Sequence, residues 1–318
     1  MSHHGQGRGA PIIAGLVLAA LLAGCATPAS RHLLTPADLG AASRASALEA
    51  SLARPGVVTF ERVRFAQWTA GRGVFIDRKD PRTAAVPKGD EEATIYAYVV
   101  DHPCFGRVMI DSGVSAELAG RLNRLMRRAV ADLDVRIERT TAQWVDGQTP
   151  PRMVFLTHLH FDHVGGLVDL PVTTPVYVGA GEAQERSRVN LVLGRPADAA
   201  LRGYGPLREW RFEPDPDGRF AGVLDIFGDG SIWAISTPGH SAGSTAYLVH
   251  AVDGPKLVVG DAVSTRLGWE QRMPQPVAAA ARADAEASAE RLRSFAAAHP
   301  TVTVFLGHQS RMGQVEAR

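Results

Sequence analysis

Three imidazoles and one carboxylate fall within six residues of the stretch Thr157-His158-Leu159-His160-Phe161-Asp162-His163-Val164-Gly165-Gly166. Alternate residues of an extended segment point to the same side, so His158 and His160 can reach one ion together. Asp162 and His163 follow where the chain should turn into a helix, and they can face a second ion nearby. Because neutral imidazole and carboxylate suit zinc and similar metals, the stretch predicts a metal site.

Three further residues of the same chemical type complete the pattern. His240, Asp261 and His308 each follow an apolar run and each stand beside a glycine. A single histidine in such a turn is usually structural. Three such residues, added to the histidine stretch, predict one shared metal centre at the ends of several strands.

The order of the predicted elements indicates the architecture. Alternating apolar and polar residues predict strands over 57–65, 93–100 and 107–110, and helical spacing predicts a helix over 115–134. After the histidine stretch a second series of strands ends in an Ala-rich helix over 277–298 and a buried strand over 301–306. Two sheets packed face to face with helices outside, a four-layer αββα sandwich of the α/β class, fit this order.

Composition indicates an ordinary globular protein. The 318 residues are 45% hydrophobic and 21% charged, and Lys+Arg of 34 against Asp+Glu of 33 leaves a net charge of +1. Such a balance gives no basic excess for nucleic acid. We expect residues 55–318 to form one catalytic domain.

The N-terminus predicts export and lipidation. An apolar run over 11–23 is shorter than the roughly 20 residues that span a bilayer, and it reads as a secretory signal over residues 1–24. Leu22-Ala23-Gly24-Cys25 resembles the lipobox of bacterial lipoproteins, which makes Cys25 the lipid-bearing residue. Ala26 after it favours the outer membrane, with the protein facing the periplasm. A plain signal peptide or an uncleaved anchor is the alternative.

Residues 25–54 are rich in Ala, Ser and Thr, and we interpret them as a tether with a short helix near 36–52. The other cysteine, Cys104, is expected to be a buried small apolar residue.

Together, these residues resemble the metallo-β-lactamase-fold hydrolases over roughly Gly56 to His308. The resemblance rests on Asp111-Ser112-Gly113, the His-x-His-x-Asp-His run, His240, Asp261 and His308. It implies that His158, His160 and His240 hold one ion, that Asp162, His163 and His308 hold the other, and that Asp261 bridges them. It implies that Asp111 orients a ligand through a hydrogen bond.

Two adjacent divalent ions, most favourably Zn²⁺, would make this chain a hydrolase. Water between them loses its proton near neutral pH, and the hydroxide can attack a lactone or ester carbonyl. This hydrolytic chemistry implies a small-molecule substrate. Asp162 is the candidate for passing a proton to the leaving group, an assignment argued from position alone. Iron and manganese accept the same ligands.

Details of the motifs favour N-acyl homoserine lactonase-like members of this family. A carboxylate at Asp261 argues against β-lactams as the main substrate, since the resembling lactamases carry a cysteine there or lack the bridge. Several lactonases place a tyrosine where this chain has Ser264, and Tyr204 or Tyr247 could replace it by type. Trp269 and Met273 could wall an acyl pocket, although Trp269 could equally belong to the core.

Two alternatives remain open at this point. Another hydrolase of the same fold would act on β-lactams, thioesters or phosphodiesters. A non-catalytic metal-binding lipoprotein is disfavoured, because structural zinc sites are usually closed four-ligand cages.

Overall fold

The computed structural model describes residues 27–131, 134–187 and 195–311. The predicted signal peptide and Cys25 lie outside this part of the chain. Within it, no helix is long and apolar enough to cross a membrane.

The described residues contain sixteen strands and eight α-helices. The strands are β1 (Thr27–Pro28), β2 (Leu34–Pro36), β3 (Ala41–Ala42), β4 (Thr59–Gly71), β5 (Asp90–His102), β6 (Gly106–Ile110), β7 (Arg136–Ile137), β8 (Met153–Phe155), β9 (Val176–Val178), β10 (Arg186–Ser187), β11 (Leu207–Glu209), β12 (Val223–Asp225), β13 (Ile232–Ser236), β14 (Thr245–Ala251), β15 (Gly254–Val258) and β16 (Thr303–Phe305). The helices are α1 (Ala45–Ser51), α2 (Leu118–Arg121), α3 (Arg124–Ala131), α4 (Thr141–Val145), α5 (Phe161–Val164), α6 (Pro196–Ala200), α7 (Arg266–Gln271) and α8 (Arg282–Ala298).

Two large sheets form the centre of the molecule. The first has the strand order β2-β11-β9-β8-β6-β5-β4-β7, and the second has the order β16-β15-β14-β13-β12-β3. A two-stranded ribbon pairs β1 with β10. In the first sheet β6, β8 and β9 run parallel, so their carboxyl ends meet at one edge.

Three buried hydrophobic clusters separate four layers. One cluster joins the inner faces of the two sheets and includes Tyr98, Phe155 and Tyr247. A second lies between the first sheet and the helices outside it, and a third lies between the second sheet and α1, α7 and α8. β5, β14 and β15 are buried on both faces and therefore read as nearly continuous apolar runs, whereas β4 alternates. The predicted αββα sandwich is confirmed.

The prediction of a tether over 25–54 is wrong for residues 27–54. β2 pairs in parallel with β11, and β3 pairs with β12, so this segment adds an edge strand to each sheet. Helix α1 buries Leu48 completely in the core of the second sheet. The segment lacks a strong apolar period because backbone hydrogen bonds to distant edge strands, rather than a hydrophobic face, attach most of it.

Two smaller expectations are also corrected. Cys104 is exposed, in the turn that joins β5 to β6. The helix predicted over 115–134 is divided into α2 and α3, because the backbone at Leu122 is extended.

Candidate metal centre

The histidine stretch lies at the carboxyl end of β8, where the first sheet meets the second. Its two halves adopt the two conformations that the spacing predicted: His158 and His160 lie in extended backbone, and Asp162 and His163 lie in α5. His240 follows β13, Asp261 follows β15 and His308 follows β16, so the second sheet supplies the remaining three residues.

All seven side chains predicted as ligands come together. Three groups have their nitrogen or oxygen atoms within 4.8 Å of one another, namely His158 with His160 and His240, His158 with His163 and Asp261, and Asp162 with His163 and His308. Within these groups His240 Nε2 lies 3.0 Å from His160 Nδ1, and His308 Nε2 lies 3.3 Å from Asp162 Oδ2. This is the clustering that metal coordination requires.

Asp261 touches both ends of the cluster. Its Oδ2 lies 3.5 Å from His240 Nε2 and 3.3 Å from His308 Nε2, while its Oδ1 lies 3.7 Å from His163 Nε2. Burial opposes ionisation of this carboxyl, but the imidazoles of His308 and His240 hold the pKa of Asp261 well below its usual range. The carboxylate is therefore charged and can contact two ions at once.

In His158, His163 and His308, Nδ1 has a hydrogen-bond partner, which leaves Nε2 to bind an ion. His163 Nδ1 lies 2.9 Å from Asp111 Oδ2, and His308 Nδ1 lies 3.1 Å from the Thr94 carbonyl. His158 Nδ1 lies 3.2 Å from Thr157 Oγ1. Such partners fix the ring and its tautomer, so Nε2 of these histidines points into the site.

The donor set fits metal ions. His158 Nε2, His163 Nε2 and Asp261 Oδ1 are buried polar atoms without a hydrogen-bond partner. Buried polar groups are rarely left so, because each costs roughly 1–3 kcal/mol. Burial disfavours protonation of His163, yet the carboxylates of Asp111, Asp162 and Asp261 outweigh it and raise the pKa of His163 to about 10. The carboxylate-rich side of the pocket around His163 therefore stabilises a cation. Burial and neighbouring imidazoles instead lower the pKa values of His158 and His160, which keeps those two rings in the neutral form that binds a metal.

Asp111 occupies the position that the sequence assigned to it. Its Oδ1 accepts the backbone N–H of Thr157 at 2.8 Å, and its Oδ2 faces His163. Its φ of 57° lies in the left-handed region, which costs less for Asp than for most residues. A strained backbone conformation beside a cluster of ligands is typical of functional sites.

Two residues that sequence reasoning missed hold the His240 loop. Gln275 Oε1 lies 3.2 Å from His240 Nδ1, and its Nε2 donates to the carbonyls of Asp261 and Ala262. Gln275 thus orients one ligand while it is attached to the loop of another. It lies in a loop with no motif, and no pattern in the sequence could have identified it.

Glu182 joins the two loops that supply the three-histidine group. Its Oε1 accepts the Leu159 N–H at 2.7 Å, and its Oε2 accepts Ser241 Oγ at 2.6 Å and the Gly243 N–H at 3.0 Å. Burial raises the pKa of Glu182 to about 7, against the lowering effect of these hydrogen bonds. Residues 181–187, which contain Glu182, form turns and β10.

A cavity of about 600 Å³ opens over the cluster. Trp68, Phe75 and Phe161 provide much of its apolar wall, and Asp162, Asp261 and Ser264 face it. Neither Trp269 nor Met273 lines this cavity, so of the two interpretations of Trp269 the core one holds. Trp269 is buried in the core between the second sheet and α8, and Met273 lines a different cavity.

Neither tyrosine proposed as a substitute at Ser264 reaches the cavity. Tyr204 donates its hydroxyl to the Leu167 carbonyl at 2.6 Å, and Tyr247 donates to the Leu156 carbonyl at 2.9 Å. Both hydroxyls are thus engaged inside the protein. Ser264 itself lines the cavity beside Asp261.

Comparison with known proteins agrees with this geometry. Residues 92–308 match the family model of the metallo-beta-lactamase superfamily. N-acyl homoserine lactonase AttM of Agrobacterium fabrum (strain C58 / ATCC 33970) is 28% identical over 233 residues, which are 69% of this chain and 83% of that protein. A probable metallo-hydrolase of Bacillus subtilis (strain 168), YqgX, is 34% identical over 116 residues, 35% of this chain and 49% of that protein.

Solved structures show the same fold. A quorum-quenching N-acyl homoserine lactone lactonase aligns with a TM-score of 0.59 at 17% identity, covering 80% of this chain and 94% of that one. AidC, a dizinc quorum-quenching lactonase, aligns with a TM-score of 0.53 at 12% identity, covering 85% and 91%. The family match and the clustered ligands confirm the prediction of a metal-dependent hydrolase, and the chain belongs to the metallo-β-lactamase superfamily.

Proposed function

We propose that this chain hydrolyses lactones and related esters with two divalent ions, most favourably Zn²⁺, and that N-acyl homoserine lactones are its substrate class. One observation carries the proposal: the Asp261 carboxylate faces His240 on one side and His308 on the other. A carboxylate in that position can bind two ions at once. Two-ion sites are suited to displacement at acyl and phosphoryl centres.

Each ligand has a role in this proposal. His158, His160 and His240 would hold one ion, Asp162, His163 and His308 would hold the other, and Asp261 would contact both. Asp111 keeps the His163 ring in place. When bound, the two ions supply Lewis acidity toward the substrate carbonyl and lower the pKa of water.

The protein's own side chains orient the substrate and move the proton. The wall formed by Trp68, Phe75 and Phe161 binds an acyl chain and excludes water from the reacting carbonyl. Asp162 faces the same cavity, with Oδ2 3.3 Å from His308 Nε2, and it can carry a proton to the departing alkoxide. Ser264 offers a hydroxyl where several lactonases have a tyrosine.

The names of similar proteins support this substrate class. AttM and the two aligned structures are lactonases of N-acyl homoserine lactones. The bridging position of Asp261 is the feature of this chain that favours lactones over β-lactams.

The proposal includes a location. Cys25 carries the lipid anchor of a bacterial envelope protein that faces the periplasm, most favourably at the outer membrane. The lipobox-like stretch Leu22-Ala23-Gly24-Cys25 and the Ala26 that follows it support this.

A hydrolytic screen tests the activity. The chain from Ala26 onward is loaded with metal and assayed on acyl homoserine lactones, a chromogenic cephalosporin, thioesters and phosphodiesters, with metal content measured on the same sample. We expect lactone turnover with about two ions per chain, and loss of turnover in His158→Ala. Faster turnover of another substrate class, or full activity in His158→Ala, would refute the proposal.

A further inference from the structure

The N-terminal segment enters the fold beside the metal centre. Thr27 and Pro28 pair with Ser187 and Arg186 in the ribbon of β1 and β10. The next residue, Ala29, donates its N–H to the Glu185 carbonyl at 2.8 Å. Ala29, Glu185 and Arg186 all line the cavity over the metal centre, so the chain begins its folded part at the cavity itself.

This entry point limits how far the cavity can be from Cys25. Two residues of extended chain span at most about 7 Å, and Thr27 is already paired with β10. Because residues 27–54 belong to the folded domain, they provide no spacer. A lipid on Cys25 would therefore lie next to the cavity and hold that side of the molecule against the bilayer.

The surface around the cavity suits a lipid bilayer. Besides the ligand His160, four exposed residues line the cavity, and we call them the rim: Val74, Arg186, Pro276 and Ala278. Three of them are apolar, and Val74 has 53% of its surface exposed. An apolar rim next to cations can contact both acyl chains and phosphates.

Basic side chains continue this surface outward from the rim. Helix α3 places Met126 in the cavity wall and exposes Arg124, Arg127 and Arg128 on its other side. A neighbouring groove is lined by Arg121, Arg195 and Arg202, and it shares Pro196 with the cavity. Arg195 forms an ion pair with Asp198, whereas the ion pair between Arg121 and Glu117 is long, at 3.9 Å. Clustered cations beside an anchor are attracted to anionic lipid headgroups.

Resting on the proposed lipidation of Cys25 and the proposed hydrolysis, we infer that the rim faces an anionic phospholipid surface and that the enzyme takes amphiphilic, long-acyl substrates from that surface. Such substrates concentrate in the bilayer, since each methylene of the acyl chain that leaves water adds to the partition into the membrane. The acyl chain would enter past the rim toward Phe161 and Trp68. A short-acyl lactone, which stays in water, gains nothing from this orientation.

The orientation of the protein on the bilayer can be tested without measuring turnover, because the native Cys104 offers a labelling site remote from the rim. Cys104 is exposed in the turn before β6. Asp111, which contacts the ligand His163, directly follows the other end of this five-residue strand, so the strand separates Cys104 from the metal centre by about 17 Å. The full lipidated chain is reconstituted in phosphatidylethanolamine and phosphatidylglycerol vesicles. An environment-sensitive fluorophore is attached either to native Cys104 or to Val74→Cys in a Cys104→Ser background.

Brominated lipids then report which label lies in the bilayer. We expect strong quenching and a blue shift at position 74, and neither at Cys104. An insertion of about 20 Gly and Ser residues before Thr27 should weaken the quenching at 74, since that spacer reaches roughly 25 Å. It should also lower turnover of long-acyl lactones relative to short-acyl lactones.

The outcomes separate this inference from the proposed activity. Equal quenching at both positions, stronger quenching at Cys104, or failure of the chain to float with vesicles would overturn the orientation. Quenching at 74 with no lactone turnover would refute the lactonase proposal and leave the surface assignment standing. Quenching at 74 with no effect of the spacer on the long-to-short ratio would overturn delivery of substrate from the bilayer.

Discussion

Gly307, one residue before His308, has no room for a side chain, and this makes Gly307→Ala a sharp test of the metal centre. A Cβ at this position would lie 2.0 Å from Asp261 Oδ1 and 2.9 Å from the Gly260 carbonyl oxygen. Real Cβ atoms do not approach closer than 3.0 Å, so the Asp261 carboxylate must move by about 1 Å. The carboxylate that faces both halves of the site is the group displaced.

The expected loss follows from that movement. A misplacement of 1 Å in a catalytic group can cost about 100-fold in rate, so we expect kcat/KM for a lactone to fall by about that factor. Metal content should fall below that of the unaltered protein, because Asp261 contacts both groups of ligands. The thermal midpoint of the metal-free protein should fall only slightly, since the large displacement falls on the end of one side chain and the Gly260 carbonyl oxygen at 2.9 Å lies only just inside the 3.0 Å limit.

Gly205→Ala is the matched control, since nothing lies within 4 Å of a Cβ built at that residue. Metal content by atomic emission, steady-state kinetics and circular dichroism melts would be measured on both variants. The reasoning fails if Gly307→Ala binds the full complement of metal and keeps kcat/KM within about threefold of the control.

Three further predictions concern the residues around the ligands. Asp111→Asn keeps the left-handed backbone accessible but removes the charge that faces His163, so competition with a chromogenic chelator should show metal affinity about 10–100-fold weaker; unchanged affinity would contradict it. Gln275→Ala should weaken binding at the His240 side by a similar factor, with at least partial recovery in Gln275→Glu, whose carboxylate can also accept from Nδ1; no recovery would refute the assignment of the His240 contact as the important one and would leave the donations to the Asp261 and Ala262 carbonyls or packing as the role of Gln275. Since burial raises the pKa of Glu182 from 4.5 to about 7, its contribution to the free energy of unfolding is fully present below about pH 4.5 and is lost as pH rises through 7. Urea titrations between pH 4.5 and 8 should show that decline in the unaltered protein and a flatter profile in Glu182→Gln, and equal slopes would refute the assignment.

The ligand set could be predicted from sequence because it is encoded locally. His158 and His160 owe their common direction to the period of a strand, and Asp162 and His163 to the start of a helix, so neighbouring residues contain the information. His240, Asp261 and His308 were found through a chemical regularity, a ligand-type residue in a glycine turn after an apolar run. The four layers of the αββα sandwich could be predicted from the same apolar runs, which mark the strands.

The acyl pocket and the supporting residues could not be predicted in this way. Gln275 and Glu182 act through hydrogen bonds to loops 35 and 23 residues away, and no period relates their positions. Trp269 follows a motif and Trp68 lies far from every motif, yet Trp68 lines the cavity and Trp269 lies in the core; only the packing of the layers distinguishes the two. Proximity in sequence to Asp261 suggested Trp269 as a wall residue, but it left the core alternative equally open.

The pairing of β2 and β3 with partners far along the chain has a consequence for how the protein folds. Leu34 pairs with Leu207, and Ala42 pairs with Leu224, so each edge strand waits for a segment made more than 170 residues later. Contacts of such sequence separation close large loops and form late, after the local hairpins. Until then both sheets present open edges that can pair with other chains, so we expect aggregation to compete with folding at this last step. The order of assembly, more than the strength of the finished core, would then set the yield of native enzyme.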